Sequence, residues 1–87
     1  MRLQFSDAAW QDYLHWQASD RRTLERINSL LKAILRTPYE GVGKPERLRF
    51  DKAGWWSRRI DLEHRVVYRV EEGIVLIAAL RYHYHAT

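Results

Sequence analysis

Apolar residues fall at Leu24, Ile27, Leu31 and Ile34, separated by three or four positions. That spacing puts them on one side of a helix. Upstream, Trp10, Tyr13 and Leu14, with Trp16 at the margin, outline the apolar side of a shorter helix that Ser6 or Asp7 can cap. Ser19–Asp20 interrupts the pattern and offers a cap for the second helix. That helix is expected to stop near Thr37, because Pro38 disfavours helical geometry in the residue before it. Ahead of both, "RLQF" alternates polar and apolar and reads as a short strand.

After the loop "TPYEGVGKPE" the period changes to two. "ERLRF", "WWSRRID" and "HRVVYRV" read as three strands, and "EEG" turns the chain into a long apolar strand, "IVLIAALRYHY". In the third of these, Val66, Tyr68 and Val70 alternate with Arg65, Val67 and Arg69. The expected fold class is α+β, in the order β-α-α-β-β-β-β. A twisted antiparallel sheet carries both helices on one face and leaves the other open. Arg65 and Arg69 then point away from the helices. One ring of Trp55–Trp56 faces them, and the other is either a base-stacking platform or a partner contact. Trp10 and Trp16 are assigned to the core or to a dimer contact.

The 87 residues make one domain, 1–87, with a small core that oligomerisation or a bound partner would supplement. Cysteine is absent, which excludes disulfides and thiolate metal sites and fits a reducing cytoplasm. "MRLQFSDAAW" lacks the apolar stretch of a signal peptide, and no segment approaches membrane-spanning length. The net charge of +4 is concentrated. Residues 36–59 hold seven basic side chains (Arg36, Lys44, Arg47, Arg49, Lys52, Arg58, Arg59) against Glu40, Glu46 and Asp51, and the rest of the chain balances. Such a cluster is either a site for a polyanion, nucleic acid first, or a solvated loop.

Metal-free RNA cleavage needs a base for the 2′-hydroxyl, fixed cations for the phosphoryl oxygens and an acid for the departing 5′-oxygen. Glu46, inside the basic segment, is a candidate base. Arg65 and Arg59 offer planar forks matched to phosphate, with Lys44 and Trp55 as further binding candidates. His83, at the end of the last strand, is a candidate acid, since imidazole has an ordinary pKa of about 6.5. Plainer roles remain open for each. Glu46 can pair with Lys44 or Arg47 on the surface, Arg65 and Arg69 can solubilise the sheet, and Tyr82 and Tyr84 can extend the core. His83 and His85, with His64 or Glu63, fall short of a clear third metal ligand. "EGVGKP" lacks the spacing of a phosphate-binding loop. No cofactor is expected.

"SRRI", "EHRVVY" and "IAALRYHY", following "TPYEGVGKPE", together resemble the Txe/YoeB group within the RelE-like ribonuclease toxins. "AWQDYLHWQASD" and "ERINSLLKAILRTPYEG" fit the same pattern, so the resemblance covers nearly the whole chain. It implies a microbial-ribonuclease-like fold and cleavage of messenger RNA in the ribosomal A site, which inhibits translation. It also implies a YefM-like antitoxin and, frequently, a toxin homodimer. Carried over, Glu46 is the general base and His83 the general acid. Arg65 stabilises the phosphoryl transition state, Tyr84 orients substrate, and Arg59 and Arg49 assist on the phosphate. Arg49 stands where lysine is expected in close relatives, and His85, Ala86 and Thr87 follow the expected terminal tyrosine. Two other classes compete with this one: a ribosome-independent ribonuclease and a non-catalytic nucleic-acid-binding regulatory partner.

Overall fold

The computed structural model describes residues 1–49 and 54–82. His83, Tyr84, His85, Ala86 and Thr87, with Asp51 and Lys52 of the basic cluster, lie outside the described residues. The elements run β1 (Arg2–Phe5), α1 (Asp7–Ser19), α2 (Arg21–Arg36), β2 (Glu46–Arg47), β3 (Trp55–Arg59), β4 (Arg65–Glu71) and β5 (Ile74–Ala79). This is the expected order.

Each helix starts where a side-chain oxygen meets an orphan backbone N–H. Ser6 accepts from the Ala9 amide and Asp20 from the Thr23 amide. Hydrogen bonds from Thr23, its hydroxyl foremost, hold the Asp20 carboxyl below its ordinary range. Ile27, Leu31 and Ile34 of the α2 stripe are buried as its spacing requires, with Leu24 partly buried at its start; Leu30 joins them, and Ile27, Leu30 and Ile34 are fully enclosed. On α1 the buried residues are Ala9 and Trp16, while Trp10 is half-exposed and stacks on Tyr13. Positions 9, 13 and 16 share one side of a helix, which leaves Trp10 at the margin of the core.

The sheet order is β1-β5-β4-β3-β2. The four C-terminal strands are antiparallel, whereas β1 joins β5 in parallel, so the sheet is mixed instead of wholly antiparallel. The reason is connectivity: two helices intervene between β1 and the meander, long enough for a crossover to a parallel partner. Val66, Tyr68, Val75 and Ile77 meet the helices to form the core. Among the described residues no helix is long and apolar enough to cross a membrane.

Two strands are shorter than their sequence suggests. β2 keeps only Glu46 and Arg47, and β5 ends at Ala79. At Leu80 the backbone leaves the ladder for α1, where its N–H donates to Asp12 Oδ2 (2.9 Å) and its carbonyl accepts from Trp16 Nε1 (2.9 Å).

Candidate active site on the open face of the sheet

Alternation along β3 and β4 sorts the charged residues. Trp56, Arg58, Val66 and Tyr68 face the helices, while Trp55, Ser57, Arg59, Arg65, Val67 and Arg69 share the open face. Glu46 pairs with Ser57 across β2 and β3 and therefore lies on the open face too.

Glu46 and Arg65 meet there, two strands apart. Arg65 Nε donates to Ser57 Oγ at 2.8 Å, which swings the guanidinium across β3. Arg65 Nη2 then lies 3.7 Å from Glu46 Oε1. The Arg65 side chain is only 11% exposed and that of Glu46 is 58% exposed. A buried cation is thus held from one side, with a solvated carboxylate at its edge. Arg65 Nη2 is itself buried and has no hydrogen-bond acceptor among the described residues, an uncommon state for a guanidinium nitrogen that marks this pair out. Glu46 approaches Arg65 rather than the neighbours Lys44 or Arg47.

Arg59 stands directly across from Arg65 and is exposed, adding a second guanidinium. Its strand end is fastened to α2, where Arg26 donates to the carbonyls of Arg59 (3.3 Å) and Ile60 (3.4 Å). Arg49 lines a groove of about 880 Å³ along β2, together with Glu46, Arg47, Tyr39 and Trp56. Lys44 is exposed in the preceding loop with a left-handed backbone (φ 52°). Trp55 is at the far end of the face, opposite Arg69, whose guanidinium lies 5.8 Å from its ring centroid. Four residues of strand, about 13 Å, separate Arg69 from Arg65. Trp56 packs against the core and Tyr39, so of the two tryptophans Trp55 has the open-face position of a stacking platform.

Two residues have roles that spacing alone conceals. Arg58, counted above with the basic cluster, is fully buried. It donates to the carbonyls of Thr37, Val42 (3.1 Å) and Glu40 (2.9 Å) and to the Tyr68 hydroxyl (3.2 Å), so its charge is committed inside the fold. Its helix-facing place in β3, on the same side as Trp56, is visible only once the pairing with β4 is known. Ser57 carries no charge, yet it orients Arg65, and its open-face parity marks it. Among the described residues no group of three His, Cys, Asp or Glu side chains is placed to hold a metal ion.

Comparison with known proteins agrees with this fold. The family model "YoeB-like toxin of bacterial type II toxin-antitoxin system" matches residues 5–84. Toxin YoeB of Escherichia coli (strain K12) is 54% identical over 84 residues, covering 97% of this chain and 100% of that protein. The YoeB dimer from Staphylococcus aureus superposes with a TM-score of 0.91 at 44% identity, covering 97% of this chain and 98% of that one. The toxin chain of the heterotetrameric YoeB–YefM toxin–antitoxin complex from the same organism gives 0.87 at 44% identity, covering 94% and 95%. With the family match spanning nearly its whole length, the chain belongs to the YoeB-like toxins of bacterial type II toxin–antitoxin systems.

Proposed function

We propose that this toxin is a metal-independent endoribonuclease of one domain, residues 1–87, that cuts messenger RNA in the ribosomal A site and so inhibits translation. The observation that carries the reading is the Glu46–Arg65 pair on the open face, with Arg65 Nη2 lacking a hydrogen-bond acceptor among the described residues. Glu46 takes the proton of the ribose 2′-hydroxyl as its oxygen bonds to phosphorus. Arg65 and Arg59 meet the charge growing on the phosphoryl oxygens, where fixed donors act without reorganising. Arg49 and Lys44 hold flanking phosphates, and Trp55 stacks on a base. The bond from phosphorus to the 5′-oxygen breaks, His83 supplies its proton, and Tyr84 orients the substrate. The products are a 2′,3′-cyclic phosphate, or the 3′-phosphate after hydrolysis, and a 5′-hydroxyl.

Dependence on the ribosome follows from how little the described residues offer for gripping RNA unaided. Trp55 alone stands as a platform on the described open face, and Arg58 is withdrawn from the basic cluster. Single-strand binders combine a charged groove with several stacking platforms. A ribosome presents messenger RNA in a fixed geometry, and positioning of that kind is worth about 7–11 kcal/mol. The protein works in the cytoplasm, where translating ribosomes are. Its antitoxin is a YefM-like protein whose acidic segment covers Arg65 and the basic cluster, and the toxin pairs with a second copy of itself. The S. aureus relatives, solved as a dimer and as a YoeB–YefM complex, support both partnerships.

The decisive comparison is the single-turnover rate on ribosome-bound messenger RNA against the same RNA free, at matched physiological salt. Much faster cleavage at the A-site codon is expected. Equal rates would make the protein a general ribonuclease, and no cleavage of either would remove the catalytic reading.

A further inference from the structure

We propose that His64 is a positioning residue that locks the end of β5 to the start of β4, holding Arg65 and the chain leading into His83 in one register. The inference rests on the catalytic reading above.

His64 is buried, at 9% exposure, in the turn before β4. Asp61 Oδ1 holds its backbone N–H at 2.7 Å. Its Nδ1 accepts from the Tyr82 N–H at 2.6 Å, across eighteen residues. The Tyr82 carbonyl in turn accepts from the Arg65 N–H at 3.2 Å. Side chain of 64, backbone of 82 and backbone of 65 therefore close a ring, since 64 and 65 are adjacent. The imidazole is clamped between Trp16, edge to face at 4.9 Å, and the Tyr82 ring at 5.2 Å.

Tyr82 adopts a left-handed backbone (φ 63°), which L side chains other than Asn and Asp seldom take unless their surroundings impose it. The imposing contact is the Nδ1 acceptor, reinforced by the ties from Asp12 and Trp16 to Leu80. An acceptor at Nδ1 puts the proton of the neutral ring on Nε2, which lies 3.5 Å from Glu63 Oε1. The His64 ring packs on Trp16 of α1 instead of pointing to the open face where RNA would lie, so His64 acts through the residues it holds. Its neighbour in sequence is the cation, and the residue after Tyr82 is the candidate acid. Misplacing a reacting group by about 1 Å costs about a hundredfold in rate.

Two substitutions separate the acceptor from the ring. In His64→Asn the amide oxygen occupies the place of Nδ1, whereas in His64→Gln it reaches the place of Nε2. With ribosome-bound messenger RNA, His64→Gln should lower kcat about a hundredfold with KM unchanged, and His64→Asn should restore most of it at the same melting temperature. Equal kcat in the two folded variants, whether high or low, would overturn the proposal. If neither variant folds, the unsubstituted toxin decides. A scalar coupling across the N–H···N bond from Tyr82 to His64 Nδ1, with slow exchange of the Tyr82 amide, supports the lock, and absence of the coupling overturns it. An unsubstituted toxin that cuts no RNA refutes the catalytic reading instead, while the coupling still tests the lock.

Discussion

The Tyr68 hydroxyl accepts from Arg58 Nε at 3.2 Å and donates to the Pro38 carbonyl at 2.6 Å. Two core-facing side chains thus bind the loop that carries the chain from α2 to Glu46. Arg58→Ala should strand the carbonyls of Thr37, Glu40 and Val42 and cost about 3 kcal/mol, a large fraction of a small domain's stability. Arg58→Lys should recover little, because one ammonium cannot reach all four acceptors. Urea denaturation midpoints measure both, and an unchanged midpoint for Arg58→Ala would remove Arg58 from the framework of the fold.

Burial pushes the Tyr68 hydroxyl above its ordinary range, against the opposing pull of Arg58. A pKa raised in the folded state means that the associated stability is complete below the unfolded value, about 10, and is lost as pH rises through the folded one. Stability should therefore decline on the alkaline side. Tyr68→Phe should be less stable near neutrality by about 1 kcal/mol yet show a flatter alkaline limb. Parallel curves for the two proteins above pH 10 would assign the decline to other groups.

Gly43 and Gly73 both have left-handed backbones (φ 88° and 68°) but different surroundings. A Cβ on Gly43 would lie 2.8 Å from Leu30 Cδ2 and 3.1 Å from Arg58 Cβ, whereas one on Gly73 meets nothing within 4 Å. Gly73→Ala should cost about 1 kcal/mol in backbone strain, and Gly43→Ala about 2 kcal/mol more from overpacking. Thermal melts of the two variants give the ranking, which equal losses would contradict.

Glu46→Gln keeps the shape of the carboxylate without its basicity and should slow cleavage by about 10²–10⁴-fold in a folded protein. Arg65→Lys should also be severe, because an ammonium on a flexible stem cannot both bond Ser57 and present a fork to phosphate. His83→Ala should abolish cleavage while His85→Ala leaves it near the parent rate. The opposite result for the two histidines would move the acid to position 85.

Trp55→Ala should weaken RNA binding by about 1–3 kcal/mol, the usual loss of one base-stacking platform. Trp56→Ala should instead lower the melting temperature, since that ring packs against the core. RNA affinity unaffected by Trp55→Ala would leave that ring to a protein partner.

Element order was legible because it depends on period. The α2 stripe at 24, 27, 31 and 34 and the alternation from Arg65 to Val70 each admit one arrangement that buries the apolar side. The same alternation placed Arg65 and Arg69 on the open face and separated Trp55 from Trp56. The basic cluster and the strand-end imidazole offered Glu46 and His83 as base and acid candidates, and only the resemblance of motifs suggested roles for Tyr84 and Arg49.

Other features required the folded chain. Arg58 carries the same charge as Arg59, and only burial decides that one is spent on four internal acceptors while the other faces solvent. Ser57 and His64 matter through partners eight and eighteen residues away. The parallel pairing of β1 with β5 depends on how the helices cross the sheet, and β5 stops at Ala79 because Asp12 and Trp16 of α1 capture Leu80. Periodicity reports which side of an element seeks water, a property of neighbours along the chain. The partner of a hydrogen-bonding group is set by distances between residues far apart in sequence, which exist only once the core has formed.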